Sequence, residues 1–137
     1  MNINGASAQG DASYPDVEID EAGRAIVIYR QFQTNITPAP DPNTNSIWSI
    51  WANYSPFVAN QAIPLETNHA PNFAASYGLA VASNGKAIAI WSHVNKDTAG
   101  NPISTSIWAK PYTPESKWGV TQPVSAVGIN SHSQKIV

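Results

Sequence analysis

One segment of the chain, AGRAIVIY at Ala22–Tyr29, occurs again with substitutions as NGKAIAIW at Asn84–Trp91. In both places a glycine is followed by a basic residue, an alanine, an aliphatic run and an aromatic residue. A second block, with Ile-Trp-Ala and a later tyrosine, follows each of them at Ser46–Tyr54 and Thr105–Tyr112. Two blocks that recur in the same order, about 62 residues apart, indicate an internal repeat.

The repeat predicts four strands in each unit. Short runs of β-branched and aromatic residues between Gly, Pro and Asn clusters are typical of strands, and a nearby glycine predicts a tight hairpin. No segment has sustained apolar spacing at about 3.6 residues, so we expect little or no helix. In corresponding pairs, the predicted strands are Asp16–Asp20 with Leu79–Ala82, Ala25–Tyr29 with Ala87–Trp91, Ile47–Tyr54 with Ser106–Tyr112, and Gln61–Leu65 with Gln122–Val127.

The second strand of each unit is apolar at every position. A strand with one face in water would alternate apolar and polar residues, which neither Ala25–Tyr29 nor Ala87–Trp91 does. We therefore expect both faces of these strands to be covered. In an antiparallel protein this requires sheets stacked on either side, as between the blades of a β-propeller.

Length and composition limit the classes of function. The 137 residues suit one domain, 1–137, with unit 1 at about 12–67, unit 2 at about 74–129, and 130–137 as the first strand of a further unit.

A net charge of −2 without a basic cluster argues against nucleic acid as a partner. No apolar run reaches about 18 residues, so we expect no membrane span. The absence of cysteine excludes disulfides and thiolate metal sites.

The second unit carries a fuller set of motifs than the first. It contains NGKAIAIW, then IWAKPY at Ile107–Tyr112 and WGVTQP at Trp118–Pro123, whereas the first unit has Tyr29 in place of tryptophan and lacks the Trp-Gly pair. This order resembles a bacterial family of β-propeller repeats with Gly-Asn-Ala-x-x-x-Trp and Ile-Trp-Ala-x-x-Tyr motifs. The resemblance implies four-stranded antiparallel blades, frequently in extracellular or cell-envelope proteins of unknown function, and implies no chemistry.

The ends of the chain leave such an array incomplete. Ser131–Val137 is similar to the first strand of a further unit, and two units with a spare strand cannot close a propeller of about four to eight blades. Three outcomes are open. The chain self-associates into a ring, as a trimer or larger; it is a fragment of a longer protein; or its two sheets pack as a small β-sandwich.

Aromatic residues provide the candidate ligand contacts, because aromatic rings stack on the apolar faces of sugars. Three tryptophans recur or match the family pattern, so we expect them in the core: Trp51, Trp91 and Trp108. The candidate contacts to a glycan are the two unrepeated tryptophans, Trp48 and Trp118, together with Tyr54 and Tyr112.

The acidic residues offer one weak metal candidate. Asp16, Glu18 and Asp20 alternate along a predicted strand and so share a face, where their mutual repulsion would favour Ca²⁺. The three histidines, His69, His93 and His132, lack the spacing of metal ligands. We therefore expect no resident metal and no other cofactor.

These patterns predict a non-enzymatic binding or interaction module of propeller-like blades, with a glycan as a candidate ligand. The alternative is a structural repeat of a larger surface or secreted protein, without a ligand of its own. An all-β hydrolase is the remote alternative, because it would need Asp20 to meet Asp41 or Glu66 in one pocket.

Overall fold

The computed structural model describes residues 11–33, 47–66 and 73–125, and this part of the chain is all-β, as the sequence predicts. It contains two open antiparallel sheets and a single 3₁₀ turn at Ala59–Gln61. The first sheet has the strand order β1 (Ala12–Ile19), β2 (Ala25–Gln33), β3 (Ile47–Tyr54) and β4 (Ile63–Pro64). The second has β5 (Phe73–Val81), β6 (Ala87–Lys96) and β7 (Pro102–Thr113), with β8 (Lys117–Trp118) and β9 (Gln122–Pro123) both paired to β7. None of the helical structure in these ranges is long and apolar enough to cross a membrane.

Glycine turns join the first two strands of each sheet. Gly23 and Gly85 have φ angles of 77° and 83°, a left-handed conformation that glycine adopts without steric cost. The N–H of Asp20 donates to the carbonyl of Arg24 across the first turn at 3.0 Å, and the corresponding bond across the second turn is 2.8 Å. Both are three-residue hairpin loops, which set the register of the strands they join.

The two sheets have the same register at corresponding positions. Tyr29 lies opposite Trp51 in the first sheet, and Trp91 lies opposite Trp108 in the second. The indole N–H groups of Trp51 and Trp108 each donate to the serine hydroxyl two residues earlier, at 2.9 and 3.0 Å. Residues that occupy the same place in the two registers are called corresponding residues below.

The sheets pack face to face around one apolar core. The face of each sheet that takes part in this contact is its inner face, and the opposite one is its outer face. The first sheet contributes Ile26, Ile28, Ile50, Ala52 and Leu65 to the core, and the second contributes Leu79, Ala89, Trp91 and Tyr112. Alternation along the strands turns Val27, Tyr29 and Trp51 to the outer face of the first sheet, where they pack with Phe57 and Ala62.

Coverage of the second strand differs between the two sheets. In β2, the side chains from Ile26 to Tyr29 are all buried, as the sequence predicts. In β6, Ala89 and Trp91 are buried on the inner face, but Ile88 on the outer face is 39% exposed. The prediction of two covered faces is therefore wrong at Ile88, because the described strands stack a sheet on only one side of β6.

Strand lengths also depart from the sequence prediction. The fourth strands are shorter than predicted, at Ile63–Pro64 and Gln122–Pro123. Gln61 belongs to the 3₁₀ turn instead, and the proline in each strand has no N–H to donate to the ladder. The short strand Lys117–Trp118 was not predicted. Residues 126–127 of the last predicted strand and the predicted spare strand at 130–137 lie outside the described residues.

Candidate binding surfaces

A cleft of about 100 Å³ lies between the hairpin turns of the two sheets. Asp20 and Arg24 form its charged wall, with Arg24 Nε 2.6 Å from Asp20 Oδ2. Burial acts to raise the pKa of Asp20, but hydrogen bonds from the backbone and side chain of Arg24 outweigh it and hold that pKa below the usual 3.8. Arg24 Nη2 also donates to the carbonyl of Asn84 at 3.2 Å, so this ion pair connects the two turns.

Three of the four predicted glycan contacts meet beside this cleft. Tyr112 lies between Tyr54 and Trp118, with ring centroids 5.6 and 5.2 Å from its own. Lys117 Nζ lies 4.8 Å from the ring centroid of Tyr54. Because Tyr112 is buried and Lys117 covers one side of Tyr54, the cluster offers little open ring surface to a sugar. Its contacts instead support a role in packing the sheets together.

The fourth predicted contact, Trp48, lies at the other end of β3. Its ring centroid is 5.2 Å from that of Phe32, and the guanidinium carbon of Arg30 lies 5.0 Å from the Trp48 ring. Trp48 is half-buried and is engaged by a cation and a second aromatic ring. Of the tryptophans predicted for the core, Trp51 and Trp91 are buried, and Trp108 is partly buried against the core.

The residues proposed as weak calcium ligands have other surroundings. Asp16 Oδ2 accepts a hydrogen bond from the N–H of Leu79 in the second sheet at 3.2 Å, and Asp20 is bound within its own turn. Glu18 is exposed on β1. In the part of the chain that the structure describes, no three His, Asp or Glu side chains are grouped as metal ligands. Two of the histidines, His69 and His132, lie outside that part.

A buried polar contact between the sheets was missed by the sequence analysis. Glu66 Oε1 lies 3.7 Å from His93 Nδ1, and Glu66 Oε2 accepts a hydrogen bond from the N–H of Ile50 at 3.3 Å. Burial raises the pKa of Glu66 to about 7 and lowers the pKa of His93, so both side chains favour their neutral forms. Desolvation exceeds their attraction, because the separation is too long for a hydrogen bond and Glu66 Oε1 has no hydrogen-bond partner. The available sequence signal was the position of Glu66 directly after the apolar residues 63–65.

The carboxylates considered for hydrolysis lie in different surroundings. Asp20 lines the cleft between the turns, whereas Glu66 is buried beside His93. Asp41 lies outside the described residues.

Aliphatic residues are exposed on the outer faces of both sheets. Val17 on β1 is 54% exposed, whereas the corresponding Leu79 on β5 is 6% exposed. Ile88 on β6 is 39% exposed, whereas the corresponding Ile26 on β2 is 3% exposed. In each pair the buried member lies in the contact between the sheets, and the exposed member lies on an outer face.

Two further pairs show the same contrast. Ile19 is exposed while Val81 packs against the core, and Val124 is exposed while Leu65 is buried. Equivalent backbone hydrogen bonds show that Leu65 and Val124 are corresponding residues. The N–H of Leu65 donates to the carbonyl of Ile50, and the N–H of Val124 donates to the carbonyl of Ile107, which corresponds to Ile50, both at 2.8 Å. At these four positions a residue is exposed on an outer face while its counterpart packs between the sheets. The contrast is confined to them, because Ile107 and Ala109 on the outer face of the second sheet and Tyr29 and Trp51 on that of the first are buried.

Comparisons with protein-family models, with curated proteins and with solved structures find no match to this chain. Its function must therefore be inferred from the geometry of its own residues.

Proposed function

We propose that the chain is a non-enzymatic interaction module, built from two propeller-like β units, whose outer sheet faces recognise protein. The observation that carries the proposal is the exposure of Val17 and Ile88 at positions whose counterparts, Leu79 and Ile26, are buried between the sheets. Neighbouring apolar side chains that are exposed together mark interaction surfaces, and Val17 and Ile19 are exposed neighbours on one face of β1. Two stacked blades leave one face of each unit without a neighbour, which accounts for the position of these side chains.

A sugar is less well supported as the ligand than a protein. Sugar binding by stacking needs an aromatic ring with an open face. Tyr112 is buried, and the ring of Tyr54 lies beneath Lys117. Part of the exposed apolar surface lies on the strands, at Val17, Ile19 and Ile88, where β-branched aliphatic side chains can pack against those of another sheet.

The proposal is tested with a dye whose fluorescence reports accessible apolar surface, such as bis-ANS, on the intact chain. Val17→Asp and Ile88→Asp should each lower dye binding, because each places a carboxylate in one outer face. Val120→Asp is the matched control, since Val120 is more exposed than either but lies in the loop between β8 and β9. Equal dye binding by all the variants would contradict the proposal.

A second measurement addresses the sugar directly. The melting temperature is followed in the presence of a panel of simple sugars, and the chain is applied to a glycan array. We expect no shift and no specific binding. A sugar that raises the melting temperature of the wild type but not that of Trp118→Ala would overturn the choice of protein as the ligand.

A further inference from the structure

We infer that the partner of the outer faces is a second copy of this chain, bound head to tail. In this arrangement the outer face of the second sheet of one copy packs on the outer face of the first sheet of the next copy. The inference rests on the proposed function and names its partner. It follows from the contact that the chain already makes between its own sheets.

The outer face of the second sheet has nearly the same side chains as the inner face of the first. The corresponding pairs, inner first and outer second, are Ile26 and Ile88, Ile28 and Ile90, Ile50 and Ile107, Ala52 and Ala109, and Leu65 and Val124. All but the last are identical in residue type. The inner set binds a sheet within the chain. In the outer set, Ile107 and Ala109 are buried, whereas Ile88 and Val124 are exposed, so these two offer the same chemistry to a sheet from outside.

The complementary surface is the β1 edge of the first sheet. Within the chain, β5 brings Leu79 and Val81 against the first sheet, and β1 is the strand that corresponds to β5. Its residues Val17 and Ile19 occupy the corresponding positions and are both exposed. Phe57 already covers part of the centre of the outer face of the first sheet. The strand β1 is therefore the part of that face that is open to a partner.

Charge at the rim of the two surfaces supports the same orientation. Within the chain, Arg24 of the first sheet donates to the carbonyl of Asn84 in the turn of the second sheet at 3.2 Å. Lys86 corresponds to Arg24, and Ala22 corresponds to Asn84. In the head-to-tail contact, Lys86 of one copy would therefore reach the turn at Ala22 of the next copy. Glu21 precedes Ala22 in that turn and supplies a charge opposite to that of Lys86.

The contact joins two different faces, so it is heterologous and leaves one complementary face free at each end of any open assembly. Such contacts close into rings when the rotation between copies permits and otherwise form open filaments. A ring or a filament has a greater mass than one chain, and the fraction of chains that it contains rises with concentration.

Light scattering coupled to size exclusion, over about a hundredfold range of concentration, tests the inference on the full chain. Val17→Asp and Ile88→Asp should each weaken self-association at least about tenfold, because each would bury an unpaired carboxylate. A mixture of these two variants should form a 1:1 heterodimer, since each keeps one intact face. Val120→Asp should associate like the wild type.

Three results would overturn the inference. They are a wild type that is monomeric throughout, a Val17→Asp variant that still dimerises alone through its second sheet, or an equimolar mixture that stays monomeric. If the chain is monomeric but dye binding still falls in Val17→Asp and Ile88→Asp, the second copy is wrong as the partner and the interaction module stands. If dye binding is also insensitive, both proposals fail.

Charge reversal provides a test that leaves the apolar core untouched. Lys86→Glu and Glu21→Lys alter two exposed side chains, and each should weaken association by up to about fivefold. The double variant restores opposite charges across the contact and should recover the wild-type affinity. Additive losses in the double variant would contradict the head-to-tail orientation.

Discussion

Replacing Glu66 with glutamine tests how the contact between the sheets tolerates a buried carboxylate. Glutamine retains a side-chain oxygen that can accept the hydrogen bond from the N–H of Ile50, so the local geometry is preserved. What changes is the ability to ionise. Because burial raises the pKa of Glu66 to about 7 in the folded chain, the fold favours the protonated form over the charged one.

The direction and size of the effect follow from this pKa. The ordinary value of 4.5 applies to the unfolded chain, so the contribution of Glu66 to stability is fully present below pH 4.5 and is lost as the pH rises through about 7. The interval from 4.5 to about 7, at about 1.4 kcal/mol per pH unit, corresponds to about 3 kcal/mol. Glu66→Gln does not ionise and escapes this loss. His93, whose pKa burial lowers, is present in both chains, so its own pH dependence cancels in the comparison.

Urea unfolding monitored by tryptophan fluorescence between pH 4.5 and 8.5 measures the difference. The free energy of unfolding of Glu66→Gln, relative to the wild type, should rise by about 3 kcal/mol across this range. Glu115→Gln removes an exposed carboxylate and is the matched control, whose curve should follow that of the wild type. Parallel curves for Glu66→Gln and the wild type would refute the reasoning. So would a relative loss of stability at high pH, which would mean that Glu66 is charged and stabilised by His93.

Two further pairs of variants test the packing of the sheets by urea unfolding. Gly23→Ala should cost about 1 kcal/mol from its left-handed backbone alone. Gly85→Ala should cost about 1 kcal/mol more, because the Arg24 side chain must move and lose its hydrogen bond to the carbonyl of Asn84. A Cβ on Gly85 would lie 2.4 Å from Arg24 Nη2, whereas one on Gly23 would have nothing within 4 Å; equal losses would show that the turns are not in contact. Leu79→Ala should cost about 2–5 kcal/mol because the side chain is buried, and the exposed Val17→Ala about 0.5 kcal/mol or less. Similar losses for these two would contradict the packing of β5 on the first sheet.

Local sequence signals were sufficient to predict the hairpins. A glycine between two apolar segments specifies a loop with a left-handed residue, and Gly23 and Gly85 both adopt that conformation. The aliphatic runs that follow them predicted β2 and β6. The ends of the fourth strands were predicted less well, because ladder pairing there is limited by Pro64 and Pro123 and by few hydrogen bonds.

Long-range contacts could not be predicted in the same way. The residue pattern of β6 resembles that of β2, yet Ile88 is exposed and Ile26 is buried, because burial depends on which other sheet lies nearby. A single glutamate such as Glu66 looks like a surface residue in the sequence, and only the packing of the second sheet places His93 beside it. The clustering of Tyr54 with Tyr112 likewise arises from the stacking of the sheets, and that stacking is what leaves their rings closed to a sugar.

The two sheets meet through unlike sides, and this has a consequence for how such a protein can evolve. Had they met through like sides, related by a twofold axis, growth would have stopped at a pair. If the outer faces bind each other as proposed, a tandem duplication of the coding segment would add a unit that matches an outer face already present. Under the same proposal, the number of units could differ between related proteins without any new interface.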